Sequence, residues 1–140
     1  MQGQRPSQPF DGRLMHPALD TAKAHFSGAP LDHLDVPEWG EEPERPLRVF
    51  FRSKMTIRER DRLYNKPEGG SYTGFATMAR CVALMALDER GKRLFNELDD
   101  LHALTYEVDQ AIVTRIAARI LMVTGQTIPV GDQVDAQKKA

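Results

Sequence analysis

The segment from Asp109 to Gly125 constrains the fold of this chain more than any other. Ile112, Val113, Ile116, Ala117, Ile120 and Leu121 recur at three- and four-residue spacing, with Arg115 and Arg119 opposite them. That spacing belongs to an amphipathic helix and does not suit a half-buried strand. Asp109 is placed to cap the first turn, and Gly125 to sit just past the last. A helix with one apolar stripe must bury it against another element, so the preceding sequence has to supply facing surfaces.

Three further helices are legible. Thr56-Ile57-Arg58-Glu59 fits the capping box, in which the threonine hydroxyl and the glutamate satisfy each other's backbone amides. This helix runs to about Asn65, where Pro67 and Gly69-Gly70 stop it, and Ile57 with Leu63 or Tyr64 is expected to face a core. A second helix begins near Ser71–Thr73 and ends near Leu87, with Phe75, Met78, Ala79, Val82, Met85 and Ala86 as its stripe. Its alanines allow a neighbour close approach. Asp88 to Lys92 forms a turn, after which Leu94 and Phe95 return to the core. Asn96 then caps a short third helix carrying Leu98, Leu101 and Leu104, with acidic residues in its first turn.

Before the helices, Leu47, Val49 and Phe51 alternate along a β-prone run to Arg52. A second extended segment at Val36–Gly40, joined through the acidic, proline-bearing loop of Glu41 to Glu44, completes a β-hairpin, with Trp39 as its anchor on the helices. A short helix fits Pro17 to Phe26, while residues 1–13, rich in Gln, Pro, Gly and Arg, read as a flexible tail. The predicted architecture is mainly α: a small domain of about four helices preceded by a short β-hairpin, over residues 36–124. A mostly flexible segment, 1–35, precedes it and a flexible tail, 125–140, follows.

Composition narrows the function. The 19 Lys and Arg nearly cancel the 20 Asp and Glu, giving a net charge of −1, whereas nucleic-acid binders carry a basic excess or a clearly basic face. No apolar run approaches the roughly 20 residues that cross a bilayer, and no secretory h-region follows Met1. The lone Cys81, set among Ala79, Val82, Ala83 and Leu84, reads as a buried small hydrophobe of a reducing compartment.

No pattern of catalytic or metal-binding residues emerges. His16, His25, His33 and His102 lack ligand spacing. Asp99-Asp100 and Glu107-Asp109 are explained by helix N-termini. Gly69-Gly70-Ser71 lacks the lysine of a phosphate-binding loop. No cofactor is implied, and the expected class is a binding protein without catalysis. Arg48, Arg52, Lys54, Arg58, Arg60 and Arg62 form the one basic cluster. They either solvate a strand edge and a helix face, or form a docking patch for an acidic partner or a nucleic-acid backbone. The acidic run from Glu38 to Glu44 is near enough in sequence to cover that patch, or to pair with it on another copy. Met122 and Val123 lie off the main stripe and are candidates for an exposed contact.

Several stretches together resemble the tail assembly chaperones of long-tailed, non-contractile phages: Val36-Pro37-Glu38-Trp39-Gly40, then Thr56 to Leu63 with Glu59-Arg60-Asp61, then the alanine-rich helix. Ala86-Leu87-Asp88-Glu89-Arg90-Gly91-Lys92-Arg93-Leu94-Phe95 is the most specific piece, and Leu101 to Leu121 closes the series. The resemblance covers residues 36–122 and leaves 1–35 without a counterpart. It implies a protein of the host cytoplasm that binds the tape measure protein, with the tail tube subunit and further copies of itself as other partners. Such a protein keeps the tape measure soluble and is absent from the mature virion; some members also have a frameshifted longer form. Protein-binding residues expected on this reading are Trp39, Arg48, Arg52, Arg58, Arg62, Met122 and Val123. The alternatives are a structural virion component, such as a tail-completion or head–tail connector protein, and a small helical nucleic-acid-binding protein.

Overall fold

The computed structural model describes residues 17–42 and 44–126. The flexible tail expected at 1–13, and all but Gly125 and Gln126 of the tail expected at 125–140, lie outside the described residues. Among those described, five helices and one antiparallel hairpin follow in the order α1 (Pro17–Ser27), β1 (Leu31–Val36), β2 (Leu47–Arg52), α2 (Ile57–Tyr64), α3 (Gly74–Met85), α4 (Asp99–Tyr106) and α5 (Gln110–Val123). The chain is mainly α with a short hairpin ahead of the four-helix region, as its sequence pattern implies.

The hairpin is built differently from the expectation at one strand. β1 pairs with β2 from Leu31 opposite Arg52 to Val36 opposite Leu47, so its strand lies five residues earlier than the segment beginning at Val36. Pro37–Trp39 instead forms a 3₁₀ turn in the connection, because proline cannot donate to a ladder. The division drawn between residues 35 and 36 accordingly cuts through β1, and the 1–35 segment contains α1 and most of that strand. Val36, Val49 and Phe51 point inward and are fully buried. The free edge of β2 meets the end of α3, where Phe50 and Leu87 exchange backbone bonds of 2.9 and 2.7 Å. The outer edge of β1 has no partner strand among the described residues.

Local signals set most helix ends. The Thr56 hydroxyl accepts from the Glu59 amide at 3.1 Å, and Glu59 accepts from the Thr56 amide at 2.8 Å, completing the capping box. Thr73 caps α3 and Asp109 caps α5 through their side chains. Asn96 accepts from the amides of Leu98 and Asp99 and so caps the turn leading into α4. Gly125 adopts φ +79°, and the bonds Gln126 N to Leu121 O and Gly125 N to Met122 O close the reciprocal C-terminal pattern that a left-handed residue permits.

The core lies where α3 and α5 cross over the inner face of the hairpin. Ile112, Val113, Ile116, Ala117, Ile120 and Leu121 are all buried, facing Met78, Ala79, Val82, Ala83 and Met85. Small residues let the two helices come close, and the Cys81 sulfur lies 4.0 Å from the Ala117 carbonyl. Each fully buried aliphatic side chain stabilises by about 1.5–3 kcal/mol, so this seam dominates the stability. Leu63 and Leu104 bring α2 and α4 onto it. Leu98, placed on the third helix by its sequence, instead precedes α4 and is 85% exposed. Two residues assigned to the core by periodicity are outside it: Ile57 is 89% exposed and Phe75 is 60% exposed. Both lie in the first turn of their helices, beyond the arc that neighbours cover. α1 contributes no buried residue; it is tied to β2 by the Arg52 guanidinium, 5.4 Å from the Phe26 ring centre.

Candidate functional site

Two of the concave surfaces among the described residues bear on function. The first is an apolar groove of about 270 Å³ at the junction of α3, α4 and α5. Met78, Ala79, Leu104 and Val113 line it, with Phe75 at its lip. The capping geometry explains why the groove exists. α3 starts at Thr73 and α5 at Asp109, and α4 ends at Tyr106, so three helix ends meet where none is long enough to cover the others. Glu107 and Asp109 place carboxylates in the chain between α4 and α5, beside the lining residues Thr105 and Gln110.

The second surface is polar. A cleft of about 210 Å³ lies between the end of β2, α2 and the turn after α3, lined by Arg52, Glu59, Arg93 and the apolar floor of Leu84, Met85 and Leu87. It adjoins a smaller hollow that adds Arg62. Arg93 is brought there by the 88–92 turn. Asp88 accepts from the amides of Arg90 and Lys92 at 2.8 and 3.0 Å, and these bonds hold its carboxyl below the usual aspartate range. The reversed chain then pairs Arg93 with Leu87, and Arg93 Nη2 donates to the Ala83 carbonyl at 3.0 Å. Arg62 is ion-paired with Glu97, and Arg93 shares the same carboxylate in a looser pair at 3.8 Å. Arg52 has the Phe26 ring as its partner and no carboxylate among the described residues.

The residues singled out in the sequence therefore separate. Arg52 and Arg62 converge on the cleft. Arg48 does not; its Nε is 3.2 Å from Asp35 across the hairpin. Arg58 is exposed and makes no ion pair among the described residues. Arg60 reaches Gln126 at 3.0 Å and faces the Tyr64 ring. Trp39 is half-buried and meets the edge of Phe95 at 6.3 Å, so it anchors the hairpin on the segment between α3 and α4 rather than on a helix. Met122 is 64% exposed, whereas Val123 is half-buried against the core; both lie at the end of α5 remote from the groove. The acidic run does not cover the arginines: Glu38 pairs with Arg115 and Glu42 with Arg45.

Two functional features escaped the sequence reading. Arg93 stands 31 residues beyond Arg62 and joins it only through tertiary structure. The exposure of Phe75 had one available signal, its place in the first turn of α3, which periodicity alone ignores. Cys81 is fully buried, and burial raises its thiol pKa far above the usual range. Among the described residues no group of three His, Cys, Asp or Glu could hold a metal ion, and no helix is long and apolar enough to cross a membrane. The chain was compared with protein-family models, with curated proteins and with solved structures, and none of these matches it.

Proposed function

We propose that this chain is a non-catalytic tail assembly chaperone of a long-tailed, non-contractile phage. On this reading it binds the tape measure protein in the host cytoplasm, with tail tube subunits as a second client, and leaves before the virion is complete. The observation that carries the reading is the apolar groove with Phe75 at its lip. A long helical client presents apolar side chains at i, i+3, i+4 and i+7, and such a stripe is received by a groove between helix ends. Phe75 is a large aromatic left in water, the kind of residue that anchors an interface when covered. The order of the Trp39 segment, the capping box at Thr56, the alanine-rich α3 and the Asp88–Phe95 stretch supports the family reading.

Co-expression with the tape measure protein of the same phage tests the proposal. The expected result is a soluble complex on size exclusion, with the tape measure protein insoluble alone, and loss of that complex in Phe75→Asp. No complex and no gain in solubility would overturn it. Detection of the chain in purified particles would instead favour a tail-completion or connector role.

A further inference from the structure

We propose that the arginine cleft receives the acidic connection between β1 and β2 of a second copy, joining copies head to tail. The cleft holds more positive charge than its own carboxylates engage closely. Arg52 has no carboxylate partner among the described residues, and Arg93 gives one nitrogen to a backbone carbonyl while standing 3.8 Å from Glu97. A guanidinium carries five donors in a planar fork suited to carboxylates, so Arg52 and the rest of the Arg93 fork have donors to offer. The Glu59 carboxylate that also lines the cleft is engaged with Thr56. Elsewhere on the chain, Glu41 and Glu44 are exposed in one connection and form no ion pair among the described residues, while Glu42 is held by Arg45.

Position makes the pairing intermolecular. The acidic connection leads into β2 at Leu47, and Arg52 is the last residue of that strand. At about 3.3 Å per residue, roughly 17 Å of rigid strand separates them. The carboxylates cannot bend back into the cleft of their own chain, but they can enter that of a neighbour. Two different surfaces then meet at each joint, so copies linked this way form rings or open rows rather than closed pairs. The net charge of −1 offers little global repulsion to such a row. Charge pairs at this level of exposure are weak and screened by salt, so the association is reversible and favoured at low ionic strength. It does not rest on the identity of any client.

Sedimentation of the full chain tests this. Average mass is expected to rise with concentration at about 0.05 M salt and to return to that of a monomer at about 0.5 M, where the screening length has shrunk to a few ångströms. Arg52→Glu/Arg93→Glu blocks the cleft, and Glu41→Arg/Glu44→Arg blocks the acidic connection; each is expected to remain monomeric alone. Mixed in equal amounts, each variant offers the reversed charge that the other lacks, so both joints are complementary again and the rise in mass is expected to return. Arg52→Glu alone, which leaves the Arg93–Ala83 bond in place, should weaken association several-fold if the double variant fails to fold. Lys23→Glu/Lys66→Glu changes the net charge equally and should leave the rise in mass unchanged. A monomeric wild-type chain at low salt, a blocked variant that associates like the wild type, a mixture that stays monomeric, or an equal loss in Lys23→Glu/Lys66→Glu would each overturn the proposal.

Discussion

Arg115 grips Glu38 through two bonds, Nη1 to Oε2 at 3.0 Å and Nη2 to Oε1 at 2.7 Å, across 77 residues of sequence. The pair ties the turn after β1 to the first half of α5, and so links the hairpin to the helix that organises the core. Paired forks of this kind are the strong form of ion pair, although both side chains remain nearly half exposed.

The Arg115 hydrogen bond holds the Glu38 carboxyl below its ordinary value of 4.5. A depressed folded-state pKa contributes stability that is present above the unfolded value and is lost as pH falls through the folded one. Glu38→Gln should therefore melt below the wild type at neutral pH, and the gap should narrow as pH falls below the ordinary carboxylate range. Thermal melts across that range check this. A gap that does not change with pH would show that the charge of Glu38 is not what joins the hairpin to α5.

Cys81 should be chemically silent. The thiolate is the reactive form, and burial holds this thiol protonated far above neutral pH. A disulfide-exchange reagent is expected to leave the native chain unmodified and to titrate one thiol per chain once denaturant is added. Rapid reaction of the folded protein would contradict the packing of α3 on α5.

Thr56→Ala should cost about 1 kcal/mol by removing the hydroxyl that accepts from Glu59. Thr56→Ser should restore most of that loss. Because Glu59 completes the same box, Thr56→Ala/Glu59→Ala is expected to cost less than the sum of the single changes. Urea denaturation of the four variants measures this directly, and strict additivity would refute the reciprocal geometry.

Gly40 and Gly125 should fail on substitution for opposite reasons. A Cβ at Gly40 would lie 2.1 Å from the Arg45 carbonyl oxygen and 2.8 Å from Pro46 Cα, both backbone atoms, though its φ of −82° suits any residue. At Gly125 nothing lies within 4 Å, but φ is +79°. Gly125→Ala should then cost about 1–2 kcal/mol of backbone strain, with Gly125→Asn milder. Gly40→Ala should cost more, and Gly40→Asn should bring no relief. Equal responses to asparagine at the two positions would count against this assignment.

Sequence reading succeeded where the information was local. The box at Thr56, the cap at Asp109 and the stripe from Ile112 to Leu121 each lie within one helix, and each is found where the pattern put it. It failed at β1 because Leu-Asp-His-Leu-Asp-Val carries little β-propensity; its pairing comes from the β2 register and the buried Val36. Ile57 and Phe75 fit a helical template, but only the neighbours decide which arc of a short helix is covered. The cleft was half legible. Arg52 and Arg62 stood out as part of a basic run, whereas Arg93 joins them through the Asp88 turn, which no linear pattern connects to α2.

The outer edge of β1, unpaired among the described residues, bears on how concentrated this protein can become. A row of free amides invites another strand, and repeated addition leads to insoluble fibrils. A chain so close to electrical neutrality gains little protection from overall repulsion. Asp32 lies on the inner face of that strand, 3.7 Å from Arg119, and Asp35 lies on the outer face. Any strand stacking there would have to accommodate a charge on each side. Replacing both aspartates by threonine would remove those charges and make strand addition at this edge easier.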